Sequence, residues 1–283
     1  MHRETRQNVH MTFPLTSARA SRLEWMATVG STNTELARRV NSEPVEQWPH
    51  LAVLATDDQT AGKGRLGRDW SAPAGSSLAI SVLVRPSTPS GRPLNPEALG
   101  WFGLLAGLAM ARACNTISGV SEATLKWPND VLIENRKVCG VLSEVVVGNG
   151  PLAIIVGAGI NMTLTEELLP VPTATSLALA GATDPEADAI LAAYLDEFSR
   201  LVGVFLAAEG DVHSSGILTA VTQECGTLGR SVRVELPDGN QLVGTASAIA
   251  ASGAIVVTPA DGTDNVEVAA GDVTHLRVIM DGA

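Results

Sequence analysis

The sequence predicts an α+β domain over residues 21–215 followed by a small all-β module over residues 218–283, and three observations predict it. Apolar runs bounded by turn residues, the mark of strands, alternate with helix-spaced segments through the first two thirds of the chain. One later stretch places Ile190, Leu191, Tyr194, Leu195, Phe198, Leu201, Val202 and Phe205 at a clean three-four spacing, the period of an amphipathic helix. After residue 218 the texture changes to short strands separated by the turn sequences Pro237-Asp238-Gly239-Asn240 and Ser252-Gly253, a pattern that fits a small β-barrel.

Residues 1–20 are polar and irregular and are expected to form a disordered tail. Thr32-x-x-Glu35 has the form of a capping box and predicts a helix from Thr32 to about Val40. Leu51 to Ala55 and Ser77 to Val84 are strand-like, with a glycine- and charge-rich loop between them. Glu97 to Ala113 reads as a helix that is apolar nearly all round and therefore buried. Crossing a bilayer takes about 20 apolar residues, so the shorter uncharged run Ala98 to Ala111 belongs to a core. Asp130 to Glu134 and Lys137 to Val147 are expected strands joined by a tight turn at Asn135-Arg136. Asn149-Gly150 is a hairpin signal leading into a strand at Leu152 to Val156. Asp184 followed by Pro185 looks like a helix N-cap with proline at the first helical position, and Gly210 is the expected end of that helix. Beyond it, Ser231 to Leu236, Gln241 to Ala250 and Ala254 to Thr258 read as strands.

Composition narrows the function. Charged residues make up 17% of the 283-residue chain and hydrophobic ones 45%; against the roughly 25% charge of an average soluble domain, that describes a folded protein and not a disordered one. The net charge of −11 opposes binding to a phosphate backbone over most of the surface, so DNA is not an expected partner. Positive charge is local, with Lys63, Arg65 and Arg68 close together, which suits a small anionic ligand. Arg3, Arg6, Arg19 and Arg22 are not followed by a continuous apolar segment, so no secretory signal is visible. Cys114, Cys139 and Cys225 form no CxxC pair and no zinc spacing. The expectation is a cytoplasmic protein with no membrane segment.

Four segments carry the chemistry. Gln59-Thr60-Ala61-Gly62-Lys63-Gly64-Arg65-Leu66-Gly67-Arg68-Asp69-Trp70 alternates glycines with cations, so the backbone can approach an anion closely while N–H groups and side chains supply positive charge. It has neither the spacing of a Walker A loop nor the uncharged interior of a dinucleotide-binding loop. Lys126-Trp127-Pro128-Asn129-Asp130 is followed by Arg136-Lys137-Val138-Cys139-Gly140. Gly157-Ala158-Gly159-Ile160-Asn161 comes directly after a strand, where glycines permit a ligand to come close. Gly30-Ser31-Thr32-Asn33 leads into the first helix. Each has an ordinary structural explanation when taken alone: a basic surface loop, a turn, a bulge and a helix cap.

In combination and order these segments resemble the catalytic domain of biotin protein ligases over residues 25 to 210. The GxGRxGRxW-like loop and the KWPND segment followed by Arg136-Lys137 and a glycine carry the resemblance, and the C-terminal strands are similar to the SH3-like β-barrel that ends these enzymes. The resemblance implies a mixed β-sheet with helices on one face, of the class II synthetase and lipoate ligase type. It implies ATP and biotin as substrates, Mg²⁺, and a biotin carboxyl carrier domain of an acyl-CoA or pyruvate carboxylase as acceptor.

By the same resemblance, Ser31, Thr32, Asn33, Gln59, Lys63, Gly64, Arg65 and Lys137 contact biotin. Arg65, Arg68, Trp70, Lys126, Asn129, Asp130, Gly157, Gly159 and Asn161 contact the nucleotide, with Asp130 as the metal ligand. Lys137, Arg65 and Lys126 carry the catalytic charge. Lys63 departs from the family's usual arginine and lacks its planar bidentate fork. Cys139 stands where alanine is common and reads as a small buried hydrophobe. Two other activities belong to the same fold or family. Lipoate or octanoyl transfer would draw on a cysteine, with Cys139 beside Lys137 the place to look. Ligand-dependent repression would need a winged helix, for which the 24 residues before Trp25 leave little room. The expected form is therefore the monofunctional one, with oligomeric state open between monomer and weak homodimer.

Overall fold

The computed structural model of the chain describes residues 12–146, 148, 150–236, 239–269 and 272–275. The larger part is built on a seven-stranded mixed sheet. Its strands are β1 (Arg22–Trp25), β2 (Ala52–Thr56), β5 (Ser77–Val84), β6 (Ala123–Lys126), β7 (Asp130–Ile133), β8 (Arg136–Val146) and β9 (Ala153–Asn161). They lie in the order β1-β2-β5-β9-β8-β7-β6. Only β1 and β2 run parallel; every other neighbouring pair is antiparallel. The intervening β3 (Gly62–Lys63) and β4 (Asp69–Trp70) form a separate two-stranded hairpin from the glycine- and cation-rich loop.

Alternation along the central strands divides the core, because successive side chains point to opposite faces. Val53, Ala55, Ile80, Val82, Ile154 and Val156 face a large cluster with α3 (Trp101–Cys114) and α4 (Ala187–Ala207). Ala52, Leu54, Leu83 and Ile155 face a smaller cluster completed by Trp48 and by Leu36 of α2 (Thr32–Ser42). The two long helices thus take one face, as expected, and α2 covers part of the other. The apolar reading of α3 was right: twelve of its fourteen residues are buried. The helix is shorter than expected, since residues 96–100 form a 3₁₀ turn capped by the Asn95 side chain.

Several expectations are corrected. The segment 12–20 is ordered: Phe13 stacks on Trp25 with ring centroids 4.9 Å apart, and α1 (Pro14–Ser17) follows it. The cause is long-range, because the Asp188 carboxylate accepts the Leu15 and Thr16 backbone N–H groups at 2.9 and 2.8 Å, an end-capping no local signal announces. Residues 1–11 lie outside the described residues. The N-cap of α2 is Ser31, whose hydroxyl accepts from Thr34 N, while Glu35 turns away to pair with Arg38 and Arg39. Helix α4 begins at Ala187 after Glu186, with Asp184 left-handed at φ 50°, so Asp184-Pro185 is a preceding turn. The last long strand runs through Gly157 and Gly159 instead of ending before them. Asn149 of the expected hairpin, and Pro237-Asp238 of the expected turn, lie outside the described residues.

The C-terminal part is a five-stranded antiparallel sheet. Its strands are β10 (Ser231–Glu235), β11 (Gln241–Ile249), β12 (Ile255–Pro259), β13 (Val266–Val268) and β14 (Asp272–His275). A short helix, α5 (Ile217–Glu224), not foreseen from the sequence, leads into it. The unit is sutured to the larger sheet beside β6. Gly226 N donates to Leu125 O at 2.8 Å, and the indole N–H groups of Trp101 and Trp127 donate to Ala251 O and Gly253 O, each at 2.9 Å. Gly253 sits at φ 83°, a conformation that favours glycine and shapes the turn receiving both indoles. Among the described residues no helix is long and apolar enough to cross a membrane.

Candidate active site

A cavity of about 280 Å³ opens on the sheet over the glycines of β8 and β9. The same face carries α2, whose first turn forms one wall; the β3–β4 hairpin forms another, and the Lys126–Asp130 turn closes the far end. Of the sequence-predicted residues, Ser31, Thr32, Asn33, Gln59, Lys63, Gly64, Arg65, Arg68, Trp70, Lys126, Asn129, Asp130, Lys137, Gly157 and Gly159 all line it.

Asn161 does not. It is buried at the end of β9, where its side chain donates to Thr175 O at 2.8 Å and ties down the chain after the strand. Gly140, quoted in the second segment but given no site role, and Leu142, not singled out at all, also line the cavity. The signal for them was the alternation along β8 from Lys137, which a bulge at Val138 shifts by one position.

The glycines are explained by what approaches them. A methyl group at Gly159 would overlap the Trp70 indole, one at Gly157 the Asn33 amide, and one at Gly62 the Gln59 side chain. At Gly140 it would meet Lys137 Nζ at 2.9 Å. Side chains from the wall and the hairpin therefore lie flat on the strands. The Trp70 indole N–H is buried there without a hydrogen-bond partner among the described residues, a donor with capacity to spare.

One end of the cavity is polar and uncharged. Gln59 Oε1 accepts from Thr32 N at 2.9 Å and from Thr32 Oγ1 at 3.1 Å, locking the helix start to the loop after β2. The other end is cationic. Asp130 holds Lys137 Nζ at 2.5 Å and Lys126 Nζ at 3.6 Å, one on each carboxylate oxygen. Burial pulls the Lys126 ammonium below its usual range, against the opposing attraction of Asp130. Burial likewise pulls down the Arg65 guanidinium, which donates to Asn129 Oδ1 at 3.2 Å. Asn129 in turn donates to Val141 O at 2.6 Å, fixing the turn to β8. Two lysines and an arginine thus converge at part-buried positions with one carboxylate between them. An anion entering there meets a net positive site with little water to screen it.

Cys139 has no place in this chemistry. Its side chain lies on the opposite face of β8, fully buried in the large core cluster. Burial pushes its thiol well above the ordinary range, with Cys114 nearby adding to the effect. A thiol in that state is no nucleophile. The sequence reading of Cys139 as a small core residue fits its position.

Comparison with known proteins places the chain. The Biotin/lipoate A/B protein ligase family matches residues 25–161, and the Biotin protein ligase C terminal domain matches residues 227–276. The chain is 35% identical to a biotin--[acetyl-CoA-carboxylase] ligase of Mycobacterium tuberculosis, over 90% of this chain and 89% of that protein. It is 36% identical to the bifunctional ligase/repressor BirA of Escherichia coli over 38% of this chain and 31% of that one. Among solved structures, a biotin protein ligase from Aquifex aeolicus in complex with biotin and ATP is similar with a TM-score of 0.70 at 26% identity, covering 91% of this chain and 99% of that one. The two-part fold, the glycine-floored cavity with its cationic end, and this near full-length similarity lead to one assignment: the chain belongs to the biotin protein ligase family.

Proposed function

We propose that the cavity binds biotin at its polar end and MgATP at its cationic end, joins them as biotinyl-5′-AMP with release of pyrophosphate, and passes the biotinyl group to a lysine of a carrier protein. The acceptor of this proposal is a biotin carboxyl carrier domain of an acyl-CoA or pyruvate carboxylase, and the compartment is the cytoplasm. The observation that carries the reading is the pairing of Lys137 and Lys126 on Asp130 directly beside the glycine floor.

Bringing a carboxylate to the α-phosphate of ATP sets two anions against each other, so fixed positive charge must offset their repulsion. In this proposal Lys137 takes the biotin carboxylate and the α-phosphate, leaving Asp130 as the anion that keeps it aimed. Arg65, braced by Asn129, and Lys126 take the remaining phosphate charge, with Lys63 and Arg68 on the hairpin above. Trp70 lies over Gly159 as one face of the nucleotide site, and its spare N–H is available to the ligand. Holding the mixed anhydride under the hairpin keeps water away until the carrier amine arrives. The amine itself displaces AMP, and no side chain of the chain need become acylated.

In this proposal Asp130, whose two oxygens face Lys137 and Lys126, serves first as their anchor, with its expected part as metal ligand confined to what MgATP brings. Mg²⁺ enters this proposal as part of the substrate MgATP, carried chiefly by the phosphates, as is usual for that ion.

The test is an incubation with MgATP and biotin, lipoate or octanoate in parallel, followed by addition of a carrier domain. Biotinyl-AMP and a carrier heavier by one biotinyl group are expected. Lipoyl or octanoyl transfer in preference to biotin would reject the reading.

A further inference from the structure

Asn33 lines the cavity, yet both donors of its amide are already taken. Oδ1 accepts from Ser81 Oγ at 2.6 Å, and Nδ2 donates to Glu144 Oε2 at 2.8 Å and to Leu142 O at 3.2 Å. A primary amide has two N–H donors, so Asn33 has none left for a ligand. Two of its partners lie on one row of the sheet, where Ser81 of β5 pairs with Gly157 of β9, which pairs with Leu142 of β8; Glu144 lies two residues further along β8, opposite Ile155. The absent side chain of Gly157 is what lets the Asn33 amide settle onto that row. The first turn of α2 is therefore pinned across three strands through one side chain. Among the partners, Glu144 is the charged one; it does not line this cavity but lines the adjoining groove, with Leu142 and the hairpin residues Lys63, Arg65 and Arg68.

We propose that Glu144 is a positioning residue for the biotin end of the site: by accepting from Asn33 it fixes the amide's orientation, and with it the placement of Ser31 and Thr32. The inference rests on the proposed function, since it takes that end of the cavity to be the biotin end. Loss of a hydrogen-bond acceptor at such a contact is expected to shift an equilibrium by up to roughly tenfold. Released from Glu144, the amide can rotate or tilt, and the helix start moves relative to Gln59 and the glycine floor. Lys137 and Lys126 are held by Asp130, apart from Glu144, and are expected to keep their places.

The test compares Glu144→Ala and Glu144→Gln with the unmodified chain in biotinyl-AMP formation, varying biotin and ATP separately. Glu144 is exposed, so both variants are expected to fold and melt near the parent. Glu144→Ala is expected to raise KM for biotin roughly tenfold while kcat and KM for ATP stay within about twofold. Glu144→Gln keeps an oxygen acceptor and is expected to restore KM for biotin to within about threefold of the parent. An unchanged KM in Glu144→Ala overturns the inference, and so does an equal rise in both KM values. Failure of the glutamine to rescue overturns it too, since that would assign Glu144 a role through its charge. If the unmodified chain makes no biotinyl-AMP, the proposed function has failed, and that outcome is visible before either variant is compared.

Discussion

Lys137 and Asp130 meet at 2.5 Å on adjacent strands, and the partner carboxylate oxygen faces Lys126 at 3.6 Å. The carboxylate holds two ammonium groups at fixed positions before any substrate is present, so no reorganisation is needed when an anion arrives. In this account the catalytic charge is Lys137's, and Asp130 sets where it points.

Replacing Lys137 by alanine is therefore expected to slow single-turnover biotinyl-AMP formation about 10²–10³-fold, the usual cost of one preorganised donor. The fold should survive, because the side chain is partly exposed and outside the core. Stopped single-turnover assays beside circular dichroism check both halves of the expectation. Adenylation at the parent rate in Lys137→Ala would remove the residue from the mechanism.

Gly159→Ala tests the floor. The new methyl would overlap the Trp70 ring, so the indole must leave its place over the strand. Displacing a packed ring costs on the order of 1–3 kcal/mol, which in binding corresponds to roughly a tenfold to hundredfold weaker Kd for ATP. Titration calorimetry with ATP in the presence of biotin measures it. An undiminished ATP affinity would show that Trp70 is not seated there when the nucleotide binds.

Cys139→Ala is expected to keep biotinyl-AMP formation within about twofold of the parent and to lose about 1 kcal/mol of stability from the small cavity it leaves. The thiol is buried against the helices, on the face of β8 away from the cavity. An inactive Cys139→Ala, or an acyl group found on Cys139 by mass spectrometry, would favour acyl transfer through an enzyme thioester.

Glu35 supplies a pH signature of stability. The Arg38 hydrogen bond foremost, with Arg39 adding to it against the cost of burial, lowers its carboxyl from 4.5 to about 2. A carboxyl depressed in the folded state stabilises the fold above its unfolded pKa, and that contribution is lost as pH falls through the folded one. The gap in unfolding midpoint between the parent and Glu35→Gln is expected to be constant above pH 5, to narrow below about 4.5, and to close near 2. A gap independent of pH would contradict it.

The parts of the fold that local physics determines were legible. Ser77–Val84 was read to the residue because all eight positions are buried and none is polar enough to interrupt the run. The cavity residues were legible as well, since glycines beside cations have little reason to recur in a core. What was missed depends on distant partners. The capping of α1 comes from Asp188, and β1 is a four-residue edge strand whose pairing with β2 decides its state. Asn161 and Asn33 illustrate the limit within the site. Both are polar residues beside glycines, yet their amides are turned to the protein's own groups, and no sequence spacing separates an amide that binds ligand from one that braces a wall.

The central claim is that biotin enters the polar end of the cavity and ATP the cationic end. Isothermal titration of biotin into the unmodified chain, alone and with a non-hydrolysable ATP analogue and Mg²⁺, measures this directly. One biotin bound per chain is the result the account requires. Absence of a binding heat for biotin under both conditions, with lipoate or octanoate binding in its place, would contradict it.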